Sequence, residues 1–261
     1  ILKLQGLLLF DIDGVIRDVS GSYRLAIEKT VEHFCDWRPQ PEDIDTLKVE
    51  GCWNNDWDAS LELIRRYKKT HKPGLEIPNR GSVVQVFSDL YFGGDPEGDP
   101  STWQGLIRNE PLLIEESFFK KLTSKGFLWG FVSGAERPSA RFILEERLRL
   151  KDPPLIAMGD APEKPNPTGL IKLAEQLLGA EISGAGWPIA YLGDTVADVL
   201  TIIEARKARP KMNFTSLAVA PPHLQKNRLQ SDRKAYEHHL TQVGADKILS
   251  CTNDLLKLKL L

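Results

Sequence analysis

Acidic residues recur in this chain at spacings that suit a hard cation. In Asp11-Ile12-Asp13-Gly14-Val15 the two carboxylates alternate along an extended segment and share one side. Two carboxylates so placed can hold a divalent metal, and Gly14 permits a tight turn after them. Taken alone the motif also reads as a calcium loop or a plain turn. A second pair, Asp194 and Asp198 in Gly193-Asp194-Thr195-Val196-Ala197-Asp198, falls where a strand turns into a helix and can converge on one cation. Its plainer reading makes Asp198 a first-turn acid favoured by the helix dipole. Ser133-Gly134 offers a hydroxyl and a free N–H, which suit a phosphate oxygen as well as an ordinary turn. Lys164, in Glu163-Lys164-Pro165-Asn166-Pro167, is a cation in a backbone stiffened by prolines that can start a helix; a solvated lysine reads the same way. Together, in the order acid, hydroxyl, lysine, acid pair, these residues describe a site for a metal and a phosphoryl group.

The elements that must position them follow from the hydrophobic pattern. Short apolar runs at Leu7–Phe10, Leu128–Val132, Leu155–Met158, Ile189–Leu192 and Leu217–Ala220 read as strands covered on both faces. Helical patterns lie between them at Glu115–Lys125, Ser139–Arg149, Thr168–Leu178 and Asp198–Ala208. Strands alternating with helices predict an α/β fold with a doubly wound, Rossmann-like parallel sheet. Ligands of such sheets sit beyond the carboxyl ends of the strands, where each of the residues above falls. From about Ser20 to Gln104 the rhythm breaks. Tyr23–Phe34, Trp57–Lys69 and Val83–Tyr91 read as helices with no convincing strand, followed by a Gly- and Pro-rich loop at Phe92–Thr102. The expected domains are a core of residues 1–19 and 105–261 and a helical cap of residues 20–104. The tail after Asp246 reads as a last short strand and a helix, and His238-His239 as a solvated helix face.

At this point the chain resembles the haloacid dehalogenase (HAD) superfamily, over nearly its whole length. The superfamily's D-x-D-G-[VT] is DIDGV at Asp11–Val15. Its strand-end Ser or Thr is FVSG at Phe131–Gly134, its K-P-x-P is KPNP at Lys164–Pro167, and its G-D-x-x-x-D is GDTVAD at Gly193–Asp198. A helical insertion between the first two motifs is similar to the branch of phosphoglycolate phosphatase and β-phosphoglucomutase.

The resemblance implies that Asp11 attacks phosphorus and forms an aspartyl-phosphate. It implies a magnesium ion held by Asp11, Asp194 and the main chain of the first motif at Ile12 and Asp13, with Asp198 as a ligand or a partner of one. Asp13 would protonate the leaving alcohol and then activate water, a role that burial would help. Lys164 would pair with Asp11 and the phosphate, and Ser133 and the Gly134 N–H would bind phosphate oxygens. Dehalogenases attack carbon and have no use for Asp13, which favours phosphoester chemistry. A sugar-phosphate mutase and a catalytically silent binding protein are the alternatives. Phosphonate hydrolysis would need a Schiff-base lysine, and nothing marks Lys29 or Lys48 for it.

Composition narrows the partners. A formal net charge of −2 over 261 residues provides no basic field for nucleic acid or an anionic membrane. No apolar run approaches the roughly 20 residues of a membrane span. Cys35, Cys52 and Cys251 are widely spaced and unpaired in pattern, as in a reduced, cytoplasmic protein. The expected partner is a small phosphorylated metabolite, such as a phosphorylated acid or a sugar phosphate, bound by a monomer or homodimer. Its selection is expected in the cap. There Gly51–Trp57 packs two tryptophans around Asn54, Asn55 and Asp56, either as a substrate-facing loop or as a helix cap with core tryptophans. Arg17 and Arg24, near the exit from the first motif, could read a substrate carboxylate.

Overall fold

Leu7, Leu8, Leu9 and Phe10 are all buried, as a strand covered on both faces must be. They form β1 (Gly6–Phe10) at the centre of a parallel sheet in a computed structural model of the chain. The structure describes residues 4–50, 53, 55–179, 186–226 and 230–258. The chain divides into two compact units, Ile1–Asp18 with Pro111–Leu261, and Val19–Glu110.

In the first unit β1 is followed by α5 (Phe118–Ser124), β2 (Phe127–Val132), α6 (Arg137–Arg141, continuing as a π-helical segment Phe142–Arg147) and β3 (Leu155–Ile156). Then come α7 (Thr168–Leu178), β4 (Pro188–Gly193), α8 (Val196–Ala208), β5 (Asn213–Val219), α9 (Pro222–Lys226), α10 (Gln230–Val243) and β6 (Lys247–Leu249). The six strands run parallel in the order β3-β2-β1-β4-β5-β6. The order reverses between β1 and β4, which makes their carboxyl ends the switch point where doubly wound sheets bind ligands. Phe10 is in register with Phe131 on β2 and with Leu192 on β4, so the residues following these strands are level.

Each face of the sheet has its own packing. Leu7 and Leu9 join Ile156, Leu170, Leu173, Ile189 and Ile202 in one apolar cluster. Phe10 meets Phe118 and Phe119 edge-on at 5.9 and 5.6 Å between ring centroids. The β3 strand is shorter than Leu155–Met158, because the chain turns away after Ile156. Ala157 N donates to Asp160 Oδ2 at 2.7 Å and Met158 N to Ala135 O at 2.9 Å. The tail carries β6 and, in place of the expected helix, a 3-10 turn over Thr252–Lys257.

The second unit is helical: α1 (Ser22–Cys35), α2 (Pro41–Val49), α3 (Asp56–His71) and α4 (Arg80–Phe92). The α2 helix is not among the expected ones. Its signal is Pro41 at the first turn with Glu42 and Asp43 beside it. Tyr23 stacks on Tyr91 at 4.7 Å, and Phe92 meets Trp103 at 4.9 Å. The boundary expected at Gln104 falls instead at Glu110. Buried Glu110 accepts hydrogen bonds from Ser22 Oγ and from Tyr91 Oη at 2.8 Å. Gly93, at φ +64°, approaches Gly105 so closely that a Cβ there would lie 2.2 Å from Gly105 N. These contacts tie the segment through Glu110 to the helices. Among the described residues no helix is long and apolar enough to cross a membrane. Truncating Phe10 to Ala should cost about 3–5 kcal/mol of unfolding free energy in urea titration; a loss under about 1 kcal/mol would contradict the central place given to this ring.

Candidate active site

Asp11 extends the sheet by one residue, donating its N–H to Leu192 O on β4 at 2.9 Å. The chain then closes on itself. The Ile12 carbonyl accepts from Val15 N (3.3 Å), Ile16 N (2.7 Å) and Arg17 N (3.1 Å), and Gly14 N donates to Arg17 O at 2.9 Å. The Ile12 carbonyl is therefore turned into its own loop and spent there, which corrects the expectation that it ligates a metal. The Asp13 carbonyl accepts none of these bonds. Gly14, at φ +75°, leaves room for an acid from β4: a Cβ on it would lie 1.9 Å from Asp194 Oδ2.

Lys164 reaches this point from the loop before α7. Its Nζ donates to Asp11 Oδ2 at 2.8 Å, to Asp198 Oδ1 at 2.5 Å and to Tyr191 Oη at 3.1 Å. An ammonium has three donors, so these partners take all of them. Tyr191 is fixed in turn, its hydroxyl 2.9 Å from both Val132 O and Asp198 Oδ1. Asp198 is held by the start of α8. Its Oδ2 accepts from Asp194 N, Thr195 N and Thr195 Oγ1, while Thr195 caps the helix through Asp198 N.

One oxygen each from Asp11, Asp194 and Asp198 lie within 4.8 Å of one another, and all three side chains are buried. Burial raises the Asp11 carboxyl to about 6; Lys164 opposes that rise, and the charges of Asp198 and Asp13 add to it. Burial, then Asp198 and Asp11, push Asp194 well above the carboxylate range. Asp198 goes the other way: burial works against its charge, but Lys164 and the Thr195 donors hold it low. Lys164 is likewise opposed by burial and held well above its usual value by Asp11 and Asp198. A divalent cation fits these acids. Among the described residues no donor meets the Asp194 carboxylate, although it is buried, and buried anions need a compensating charge. Asp11 accepts one bond on each oxygen, from Ile12 N at 2.7 Å and Lys164 Nζ at 2.8 Å, so it and Asp194 keep lone pairs with which to ligate. Asp198, whose Oδ2 takes three donors and whose Oδ1 takes Lys164 and Tyr191, fits the role of a partner that orients them.

Ser133 and Gly134 lie at the end of β2. Ser133 Oγ accepts from Ala135 N at 3.2 Å, leaving its own proton to give. Gly134 is exposed, with open space where a Cβ would stand, and among the described residues nothing takes its N–H. Asp13 is less buried than its expected role favours, with a side chain 27% exposed. Arg17 belongs to the first unit, not the helical one, and is 0% exposed. It turns inward to Asp13, which corrects its assignment as a reader of substrate. Arg24 pairs with Asp45 in the helical unit. Asn55 caps α3, accepting from Trp57 N at 3.0 Å and Asp58 N at 3.2 Å. Asp56 is the first residue of that helix, and Asn54 lies outside the described residues. Two residues of the site went unnoticed in the sequence. Tyr191 is embedded in an apolar strand and reads as core, although a buried phenol needs a partner. Tyr236, on α10, donates to Asp194 O at 2.8 Å and carries no local signal.

The family model for haloacid dehalogenase-like hydrolases matches residues 6–206. The sequence is 33% identical over 251 residues to a Phytophthora nicotianae protein named imidazoleglycerol-phosphate dehydratase. The match covers 93% of this chain and 50% of that protein, so the chain spans about half the length of this curated relative. The fold is similar to a phosphatase from Thermococcus thioreducens (TM-score 0.60, 21% identity, covering 90% of this chain and 99% of that one). It is also similar to a phosphonoacetaldehyde hydrolase-like protein from Oleispira antarctica (0.60, 16%, covering 97% and 91%). A third likeness is to CbbY from Rhodobacter sphaeroides, solved with phosphate (0.59, 14%, covering 98% and 100%).

Gly14→Ala should displace Asp194 and weaken the binding of a divalent cation, with magnesium as the probe, at least about tenfold in calorimetric titration, because the new Cβ meets the carboxylate and the backbone is strained. Unchanged affinity would contradict the proximity of Gly14 and Asp194.

Proposed function

The chain belongs to the haloacid dehalogenase-like hydrolases, and on that premise we propose that it is a magnesium-dependent phosphatase acting on a small phosphomonoester through an aspartyl-phosphate at Asp11. The observation that carries this reading is the buried Asp11 carboxylate, bound through Oδ2 by Lys164 at 2.8 Å, beside an Asp194 carboxylate that no donor among the described residues meets. An anion fixed at a strand end beside a cation site is arranged for in-line attack.

Asp11 and Asp194 would hold magnesium, with the Asp13 carbonyl as the open main-chain donor; when bound, the ion neutralises charge on the phosphoryl oxygens. The chain's own residues do the rest. Lys164 keeps Asp11 ionised and oriented. The Ser133 hydroxyl and Gly134 N–H donate to phosphoryl oxygens. Asp11 forms a bond to phosphorus as the ester P–O bond breaks, and Asp13 gives a proton to the departing alcohol. Asp13 then takes a proton from the water that attacks phosphorus, releasing phosphate and restoring Asp11. Substrate choice would fall to the helical unit, Val19–Glu110. The curated relative's name does not carry over to a chain half its length, but it does place an imidazole-bearing phosphate ester on the substrate panel.

Asp11→Asn should reduce 4-nitrophenyl phosphate hydrolysis at least about a thousandfold, because an amide cannot serve as the nucleophile. Near wild-type turnover by the purified variant would refute the mechanism. Chelation should silence the wild-type enzyme and magnesium restore it; full activity in excess chelator would exclude the metal role.

A further inference from the structure

Arg17 is a fully buried guanidinium in a loop whose neighbours do the chemistry. Its Nε donates to Asp13 Oδ1 at 2.7 Å. Its other nitrogens reach α6, where Nη2 donates to Ser139 Oγ at 2.8 Å and Nη1 to Ser139 O at 3.4 Å. Arg17 follows Asp13 by four residues and is bonded through its main chain to Ile12 O and Gly14 N. The guanidinium is thus fixed at both ends, and it grips one carboxylate oxygen. Among the described residues no partner meets Asp13 Oδ2, and the side chain keeps 27% exposure.

We propose that Arg17 is the positioning residue of Asp13: it fixes the carboxyl through Oδ1 so that Oδ2 alone exchanges protons with the leaving alcohol and with water. This rests on the acid–base role of Asp13 proposed above. A group that transfers protons must be held within hydrogen-bond reach of the reacting oxygen, and in linked catalytic groups a third side chain commonly orients the acid or base. A rigid, permanently charged fork suits that task better than a flexible ammonium. The competing explanation is that Asp13 merely compensates a buried arginine. The two differ in kinetics. Protonation of the leaving group matters when the departing oxygen is a poor leaving group and little when it is a good one. The specificity constant kcat/KM reports the first step, transfer to Asp11, without the later attack by water.

The test compares benzyl phosphate, which expels an alkoxide, with 4-nitrophenyl phosphate, which expels a stabilised phenolate. Arg17→Met should lower kcat/KM for benzyl phosphate by about 10- to 100-fold and for 4-nitrophenyl phosphate by less than about threefold, with magnesium affinity unchanged by calorimetry. Arg17→Lys should fall between Arg17→Met and wild type. Equal losses on both substrates, a parallel loss of magnesium affinity, or no loss in a folded variant would overturn the proposal. If Arg17→Met does not fold, Ser139→Ala takes its place, with the same discrimination expected at smaller size and the same overturning results. Asp13→Asn separates this inference from the reading beneath it. If Asp13→Asn discriminates between the substrates and the Arg17 variant does not, only the positioning role fails. If Asp13→Asn shows no discrimination, the acid role fails and takes the inference with it.

Discussion

The Lys164 ammonium, lodged between Asp11 and Asp198, is the contact on which the rest of this site depends. Three buried carboxylates in one small volume repel each other and lose their hydration, a cost that only opposite charge can offset. Lys164 supplies one positive charge at 2.8 and 2.5 Å. Once all three acids are ionised, Asp194 included, two negative charges remain, and a divalent cation matches them. The lysine also sets direction. With its three protons given to Asp11, Asp198 and Tyr191, it cannot swing away without stranding a buried acid, so Asp11 presents the same oxygen throughout.

The backbone makes this contact available. A parallel sheet sends the ends of β1 and β4 to one edge, and the reversal of strand order there opens a crevice. Glycines admit the acids: a Cβ on Gly14 would overlap Asp194, and one on Gly193 would lie 2.2 Å from Asp198 Cβ. Prolines on either side of Asn166 stiffen the loop that delivers Lys164. The capping box at Thr195 and Asp198 serves the helix and the site together, since the carboxylate that caps α8 through one oxygen receives Lys164 through the other. The helical unit has its own core, with Tyr23 stacked on Tyr91 and Glu110 buried between hydroxyls.

Much of this was legible in the sequence. Asp11, Ser133, Lys164, Asp194 and Asp198 each follow an apolar strand run, and periodicity alone puts them at the carboxyl edge of a parallel sheet. The missing parts depend on how loops close. Nothing in the order Asp-Ile-Asp-Gly reveals that the Ile12 carbonyl folds back onto Val15, Ile16 and Arg17. Arg17 reads in the sequence as an exit residue open to substrate, and only the closed turn over Gly14, which bridges Asp13 and Arg17, brings its guanidinium onto Asp13. Tyr191 was hidden by its neighbours, because a tyrosine among Ile, Ala and Leu in a buried strand reads as packing. The unit boundary slipped from Gln104 to Glu110, since a glutamate that is buried by two hydroxyls looks like any surface acid until its partners are brought near. Asn55 was the reverse case, with the plain reading as a helix cap matching the observed bonds.

The claim that Asp11 itself carries the phosphoryl group is tested most directly by trapping it. Wild-type protein mixed with 4-nitrophenyl phosphate and magnesium, quenched in acid within the first turnovers and reduced with borohydride, converts an acyl phosphate to an alcohol. Peptide mass spectrometry should then find homoserine in place of Asp11, and only in samples that received substrate. Turnover with Asp11 unmodified, or with the modification on another acid, would contradict the account.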